Sequence, residues 1–186
     1  MSKPADKTAS YEDLFTVPEN QVGEILAGAL ITHPRPSPRH ARAASVIGAK
    51  LLTEFDTRPG GQSGDWWILD EPECHLQADI VVPDIAGWRK TTMPQMPDTA
   101  WIEISPDWVC EVISPSTAKY DRGIKREIYS REGVGHYWIV DPAEKMIEVF
   151  ALQESNWVLL ATVTDDSVPM LAPFETLPFE LATLWV

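Results

Sequence analysis

Hydrophobic residues recur along the chain with two spacings, one typical of helices and one typical of strands. The helical spacing marks three segments. A short helix is predicted to begin near Tyr11, with Ser10 as its capping residue. Apolar side chains recur at spacings of three and four over residues 38–55, which predicts a longer helix ended by the RPGGQSG segment at 58–64. A third helix is predicted over residues 118–132, and the glycine that follows stops it.

The strand-like segments are shorter, and one of them carries a charge in an apolar run. Residues 23–32 alternate weakly and predict a first strand, which the proline-rich turn at 33–38 closes. The run WVCEVI at 108–113 is apolar except for Glu111, so it predicts a mostly buried strand with one acidic side chain. The other predicted strands are residues 66–69, 80–88, 135–140, 146–152 and 157–163. This order of elements predicts a mixed α and β fold.

Length and composition indicate one globular domain. The 186 residues suffice for one substantial core and are too few to argue for two. Hydrophobic residues make up 44% of the chain and charged residues 23%, which is typical of globular proteins and not of disordered ones. We expect a flexible N-terminus over residues 1–10 and a single domain over residues 11–186, with the apolar C-terminal tail packed on the core.

The sequence contains no segment typical of a membrane or secreted protein. No stretch approaches the roughly 20 apolar residues that cross a bilayer, and the opening MSKPADKTAS lacks the apolar core of a signal peptide. We therefore expect no membrane partner and a cytoplasmic location. Cys74 and Cys110 form no CxxC pair, so we interpret both as reduced thiols in the core.

The charge balance lowers the odds of a nucleic-acid enzyme without excluding one. The formal net charge is -13, whereas phosphate binding usually requires a basic surface. The 15 Lys and Arg residues could nevertheless cluster on one side of the molecule. No GxxxxGK[ST], GxGxxG or GxSxG motif is present, which excludes the commonest nucleotide-binding and serine-hydrolase sites.

Asp84 and Glu111 form the candidate metal site. Asp84 follows Pro83 in one predicted strand, and Glu111 lies in another, with a loop between them as in a hairpin-like pair. Burying an unpaired carboxylate is costly, so Glu111 requires a metal ion or a cationic partner. Mg²⁺ prefers hard oxygen ligands, and two carboxylates on neighbouring strands would suffice to hold it for phosphodiester hydrolysis.

A cation near these carboxylates is expected from the helix and not from the strand. Period-two alternation places Ile113 on the same face as Glu111, and Ile113 offers no charge. Asp121, Lys125 and Tyr129 fall at positions i, i+4 and i+8, so they line one face of the third predicted helix. Lys125 would then orient the attacking water or stabilise charge on the phosphate oxygens.

The segments that contain these residues resemble those of a known family. They are PD at 83–84, DWVCEVISPST at 107–117 and DRGIKREIYSREGVGHYWIVDP at 121–142, and the upstream matches are Glu24, Gly28, Leu30, Pro36-Ser37-Pro38 and His40. From about residue 11 to its end, the chain closely resembles the Uma-type family of restriction-endonuclease-like bacterial proteins, part of the PD-(D/E)xK nuclease superfamily.

The resemblance implies a restriction-endonuclease-like fold, with a central mixed β-sheet flanked by helices. It implies that Asp84 and Glu111 bind the metal ion, and a strand carbonyl near Val112 is a further candidate ligand. Lys125 would replace the missing lysine of the ExK element, because Ile113 stands at that position and departs from the superfamily pattern.

The activity that this resemblance implies is a Mg²⁺- or Mn²⁺-dependent endonuclease that hydrolyses phosphodiester bonds in DNA. Nucleases of this kind often act as dimers, so a homodimer is expected by analogy. The apolar C-terminal region is the candidate interface.

Several candidate residues have a second interpretation. Glu24 and His40 are supporting candidates for the site, although His40 also suits a helix cap or a surface position. Asp121 could position Lys125 or lie on the helix surface near its N-terminus. Tyr129 is more typical of packing than of chemistry.

A non-catalytic role is the alternative to the nuclease. The buried glutamate and the helical lysine could form a purely structural ion pair, which would look the same from sequence. The strong acidity and the absence of a lysine at position 113 favour a nucleic-acid-binding or protein-interaction module that keeps the nuclease fold.

Overall fold

The structure, a computed structural model, describes residues 8–57 and 64–185 of the chain. In these ranges the strands are β1 (Gln21–Leu26), β2 (Ala29–Pro34), β3 (Trp66–Asp70), β4 (Cys74–Leu76), β5 (Asp79–Val81), β6 (Ile85–Arg89), β7 (Trp108–Val112), β8 (His136–Asp141), β9 (Met146–Gln153) and β10 (Asn156–Thr164). The α-helices are α1 (Tyr11–Leu14), α2 (Pro38–Leu51), α3 (Ala118–Asp121) and α4 (Ile124–Arg131). None of these helices is long and apolar enough to cross a bilayer.

The described strands form a mixed six-stranded sheet and a smaller four-stranded sheet. The order of the larger sheet is β10-β9-β8-β7-β6-β3. Its strands β7 and β8 are parallel, and its other neighbours are antiparallel. A parallel pair needs a crossover connection, which α3 and α4 provide. The order of the smaller sheet is β2-β1-β5-β4, and all of its pairs are antiparallel.

The longest helix, α2, begins at the end of the proline-rich turn. Pro38 occupies its first turn, where the missing proline N–H costs no hydrogen bond. The hydroxyl of Ser37 caps the helix and accepts a hydrogen bond from the backbone N–H of His40 at 3.4 Å. The helix continues into a π-helical turn at Leu52–Asp56. Its apolar face, which includes Ala43 and Ile47, is fully buried.

The two faces of the six-stranded sheet are covered differently. One face, which we call the tail face, packs against α2 and the C-terminal residues 171–185. The other, the α4 face, packs against α4 and the four-stranded sheet. Because side chains alternate along β7, Trp108 and Cys110 lie on the tail face, whereas Val109 lies on the α4 face.

Three predicted elements were wrong because a local break divides each of them. Residues 23–32 form a hairpin and not one strand, since Ala27 and Gly28 adopt positive φ angles of 50° and 78° in a tight turn. Residues 80–88 belong to two strands in different sheets, because the proline at 83 cannot donate to a ladder. The predicted helix 118–132 is interrupted between α3 and α4 at residues 122–123.

The remaining predicted elements agree with the structure to within a few residues, except that β4 was missed. The C-terminal tail packs on the core as expected, with Phe174, Phe179 and Leu181 buried. Cys74 and Cys110 are free and buried, as expected for core thiols. Residues 1–7 of the predicted flexible N-terminus and residues 58–63 of the RPGGQSG segment lie outside the described residues.

Candidate active site

Asp84 lies where the chain passes from the small sheet to the large one. It immediately precedes β6, and the pairing of Ile85 with Cys110 places it level with Glu111 on the neighbouring β7. Its Oδ2 atom accepts a hydrogen bond from the backbone N–H of Val112 at 2.7 Å. Its Oδ1 atom lies 2.9 Å from Nε2 of His40, at the start of α2. Contacts with β7 and with α2 thus orient the Asp84 carboxylate.

Glu111 is buried on the α4 face of the sheet. Glu111 is 3% exposed, and its Oε1 atom lies 2.6 Å from the Nζ atom of Lys125. The hydroxyl of Tyr129 donates a hydrogen bond to the same oxygen at 2.6 Å. Tyr129 therefore contributes more than the packing role expected from sequence, because it holds the candidate metal ligand.

Lys125 joins the candidate residues into one cluster. Its side chain is 3% exposed, and its Nζ atom lies 3.0 Å from Oε1 of Glu24 and 3.7 Å from Oδ1 of Asp121, in addition to its contact with Glu111. Asp121 ends α3 and Lys125 lies in the first turn of α4, so their contact bridges the interruption between the two helices. The Lys125 ammonium therefore lies within 4 Å of three carboxylates.

Glu24 brings the four-stranded sheet into the site. It lies in β1 and is 2% exposed. Its Oε1 atom accepts a hydrogen bond from the backbone N–H of Val82 at 2.8 Å, and its Oε2 atom lies 3.5 Å from Nε2 of His33. The contact between Glu24 and Lys125 thus connects the small sheet to the helix that covers the large one.

The surroundings of Lys125 and Glu24 favour the charged form of both groups. Burial opposes the charge of Lys125, but the carboxylates of Glu111, Glu24 and Asp121 outweigh it and raise the pKa of the lysine well above its usual value. Burial also opposes the charge of Glu24. The Lys125 ammonium, together with hydrogen bonds from His33 and Val82, nevertheless lowers the pKa of Glu24 to about 2.

The surroundings of the other carboxylates disfavour their charged forms. Burial raises the pKa of Glu111 well above its usual value, and Lys125 offsets only part of that effect. Burial likewise raises the pKa of Asp121. For Asp84, burial raises the pKa to about 7, although the Val112 N–H and Lys125 act in the opposite direction. The cluster therefore contains more carboxylates than its ammonium neutralises, and protons or a further cation can balance the remaining charge.

The donor set fits a hard divalent ion held by few protein ligands. Among the described residues, no group of three or more His, Cys, Asp or Glu side chains has a spacing that could hold a metal ion. Mg²⁺ commonly uses one or two carboxylates and keeps several waters. Asp84 and Glu111, level on adjacent strands, match that requirement. The side chain of Asp84 is 16% exposed and borders a cavity, so an ion could reach it.

The structure brings all the sequence-predicted candidates into one region. Asp84, Glu111, Lys125, Glu24, His40, Asp121 and Tyr129 are linked by the contacts above, and Val112 contributes its N–H. The surface interpretation of Asp121 was wrong, since the residue is 2% exposed. His40 is also buried. The sequence also allowed the His40 side chain to be a helix cap, but that side chain contacts Asp84 instead.

Two features of the site were missed from sequence. His33 contacts Glu24, but in the sequence it stands in a proline-rich turn without a partner at a recognisable spacing. The turn at residues 114–117 borders the same cavity as Asp84. The string Ser114-Pro115-Ser116-Thr117 predicts a turn, and nothing in it indicates proximity to Asp84.

The comparisons with known proteins agree with this architecture. Residues 9–183 match the model of the family Uma2, described as "Putative restriction endonuclease". A crystal structure from Anabaena variabilis, described as a "putative nuclease belonging to DUF820", superposes with a TM-score of 0.72 at 20% sequence identity. The alignment covers 93% of this chain and 95% of that one, which shows a shared fold. No curated protein matched the sequence.

Proposed function

The chain belongs to the Uma2 family, and from that premise we propose that it is a metal-dependent endonuclease that hydrolyses phosphodiester bonds in DNA. The observation that carries the proposal is the convergence of two carboxylates and an ammonium. Asp84 and Glu111 lie level on adjacent strands, and Nζ of Lys125 lies 2.6 Å from Glu111. Two carboxylates can hold a hard divalent ion, and an ammonium can stabilise charge on the phosphate during phosphodiester hydrolysis.

Asp84 and Glu111 are the proposed ligands of Mg²⁺ or Mn²⁺. A bound ion would activate water and neutralise charge on the phosphate. The N–H of Val112 fixes the orientation of the Asp84 carboxylate, and the hydroxyl of Tyr129 does the same for Glu111. The carbonyl of Val112 remains a proposed further ligand.

Lys125 takes the place of the strand lysine in this proposal. Ile113, two residues after Glu111, is buried among apolar side chains on the α4 face and contributes no charge. Lys125 reaches the same glutamate from α4, and its contacts with Glu24 and Asp121 keep it positively charged. In that state the ammonium would stabilise the negative charge that develops on the phosphate oxygens.

DNA cleavage by conservative variants tests the proposal. Asp84→Asn and Glu111→Gln keep the shape of the side chains but remove the anionic ligands. Each should slow cleavage of plasmid DNA in Mg²⁺ or Mn²⁺ by about a thousandfold, which corresponds to about 4 kcal/mol. Chelation of the metal with EDTA should stop cleavage by the unaltered protein.

The matched control is Asp98→Asn, which removes the charge of an exposed aspartate outside the site. It should cleave like the unaltered protein, and circular dichroism should show that all variants are folded. Unchanged cleavage in both Asp84→Asn and Glu111→Gln would overturn the assignment of these residues.

A second candidate function is a non-catalytic module that keeps the nuclease fold. It is favoured by the close contact of Lys125 with Glu111, which already neutralises one carboxylate without a metal ion. Calorimetry with Mn²⁺ separates the two functions. Nucleic-acid binding without Mn²⁺ binding or cleavage would support the module.

A homodimer is part of the nuclease proposal, but its expected interface needs correction. The C-terminal region was the candidate surface. Its apolar residues Phe174, Phe179 and Leu184 are instead buried against the chain's own sheet. That region is therefore unavailable as a large apolar interface, and any dimer would use another surface.

A further inference from the structure

A narrow cleft leads from the surface to Asp84. Its volume is about 200 Å³, and Asp84 and His40 lie along it. The β2–α2 connection forms one wall with His33, Arg35 and Ser37, and the turn at residues 114–117 contributes to the other. Glu111 and Lys125 are almost completely buried, whereas Asp84 lines this cleft and a second cavity, so Asp84 is the member of the cluster that a substrate group could approach.

The turn at residues 114–117 presents a group of hydroxyls to the cleft. The Oγ atom of Ser114 lies 2.9 Å from Oγ of Ser116 and 3.1 Å from Oγ1 of Thr117. Ser116 is exposed. Hydroxyl groups can reorient to donate hydrogen bonds to an anion without moving the backbone, so this turn is suited to phosphate oxygens.

The opposite wall supplies positive charge. Arg35 is about half exposed, and its nearest carboxylate, Glu71, lies 3.8 Å away and is also about half exposed. Such exposed pairs are weak, so the guanidinium can exchange Glu71 for another anion. The hydrogen bond to Glu24 raises the pKa of His33, which favours its charged form. Arg35 and His33 thus bring two basic side chains to a cleft that Glu71 and Asp84 also line, in a chain of net charge -13.

A histidine also lies along the cleft, beside Asp84. The buried Nε2 atom of His40 lies 2.9 Å from Oδ1 of Asp84, so the Asp84 carboxylate is already its polar partner.

We propose that this cleft is a phosphate subsite, in which Arg35, His33 and the hydroxyls of Ser114, Ser116 and Thr117 bind a backbone phosphate of the nucleic-acid strand that is presented to Asp84. The subsite deepens the proposed function and rests on it. It also explains how a strongly acidic chain binds a polyanion, because a few local contacts replace a broad basic surface.

Binding in the absence of divalent metal tests the subsite. The probe is a short, fluorescently labelled single strand of DNA, and its anisotropy is followed with the full-length chain in EDTA at low salt. Arg35→Ala should weaken binding about tenfold, because a charge-assisted contact to phosphate is lost. Ser116→Ala should weaken it by a smaller factor, about threefold. Inorganic phosphate should compete with the probe for the unaltered chain and less for Arg35→Ala.

Arg39→Ala is the matched control. Arg39 is exposed in the first turn of α2, close to the cleft but outside its lining, and its removal changes the net charge equally. It should alter binding by less than about twofold, as expected for a screened surface charge. Equal losses of DNA affinity for Arg35→Ala and Arg39→Ala would show that only the net charge of the chain matters, and they would overturn the subsite. Failure of the unaltered chain to bind would overturn it as well.

The result is separable from that of the cleavage experiment. A chain that binds DNA through Arg35 but does not cut it supports the subsite and overturns the nuclease. A chain whose cleavage requires Asp84 and Glu111, but whose binding is insensitive to Arg35, supports the nuclease and overturns the subsite.

Discussion

The two faces of the six-stranded sheet bury their side chains by different chemistry. The tail face is closed by aromatic rings, with Phe174 in contact with Trp108 and Trp138 at centroid distances of 5.1 and 5.9 Å. The α4 face is partly apolar, but it also buries Glu111 and Lys125. Both faces are supplied by the same strands, and β7 contributes to both.

From this difference we predict that the fold does not require the buried charges. On the tail face, largely apolar side chains cover the same sheet. Replacing a buried ion pair by apolar residues is often neutral or stabilising, because desolvation costs about as much as the pair contributes. We therefore expect the charges on the α4 face to contribute less to stability than the apolar side chains on the tail face, and the predictions below test that contrast.

The largest effect is expected on the tail face. Phe174→Ala should destabilise the protein by about 4 kcal/mol, because it leaves a cavity among rings that cannot fully collapse. The side chain is 1% exposed. Urea unfolding near neutral pH measures the change. DNA cleavage per folded molecule should stay the same, since Phe174 does not contact the candidate site.

Met170→Ala is the control for this variant, because Met170 is 66% exposed. Its effect should be below about 0.5 kcal/mol. A Phe174→Ala variant as stable as Met170→Ala would contradict the importance of the tail face.

A smaller loss of stability is expected on the α4 face. Lys125→Met should cost about 3 kcal/mol, since it leaves buried carboxylates without their cation. The cost stays at the lower end of such losses because Glu111 and Asp121, whose pKa values are already raised, can take up protons. Urea unfolding at several pH values measures this. The loss should shrink as the pH falls.

The double variant Lys125→Met, Glu111→Gln sharpens the same prediction. It removes the ammonium together with the carboxylate that lies closest to it. It should be more stable than Lys125→Met alone, because one uncompensated charge is gone. A double variant less stable than the single one would mean that these charges hold the fold together, and the contrast between the faces would fail.

The smallest effect concerns metal binding at the edge of the α4 face. Burial raises the pKa of Asp84 to about 7, so protons would compete with the proposed metal ion for its carboxylate. Above that pH the carboxylate is ionised and available. Below it, each unit of pH reduces the ionised fraction about tenfold, which weakens Mn²⁺ binding by about 1.4 kcal/mol.

Calorimetry with Mn²⁺ across the neutral range measures this dependence. Asp84→Asn should bind Mn²⁺ more weakly and with a flatter pH profile near neutrality, since it has no proton to lose. An affinity of the unaltered protein that stays constant below pH of about 7 would contradict the role of Asp84.

Elements that run to their ends without a tight turn or an interruption were predicted well, and those that contain one were not. The strand β7 and the helix α2 have a single apolar pattern from end to end, and both were found close to their predicted bounds. The pattern of residues 23–32 is also continuous, yet the chain reverses at Ala27 and Gly28. Two residues in a tight turn reverse the chain without disturbing the apolar pattern around them.

The candidate site shows the same division. Glu111 is detectable because a charge in an apolar strand is costly, and Lys125 because it is four residues from Asp121 and from Tyr129 on a helix. No local signal indicates His33. Its position beside Glu24 follows from the antiparallel pairing of β1 with β2. In that pairing His33 lies opposite Val22, two residues before Glu24.

The sequence by itself determined the family, the mixed α and β class and the chemical types present in the site, because these depend on local patterns and residue identities. Only the tertiary structure decided which groups meet. The approach of Glu24 to Lys125 and that of His40 to Asp84 arise from packing between distant segments. Such contacts balance burial against electrostatics over the whole molecule, so no short stretch of sequence contains them.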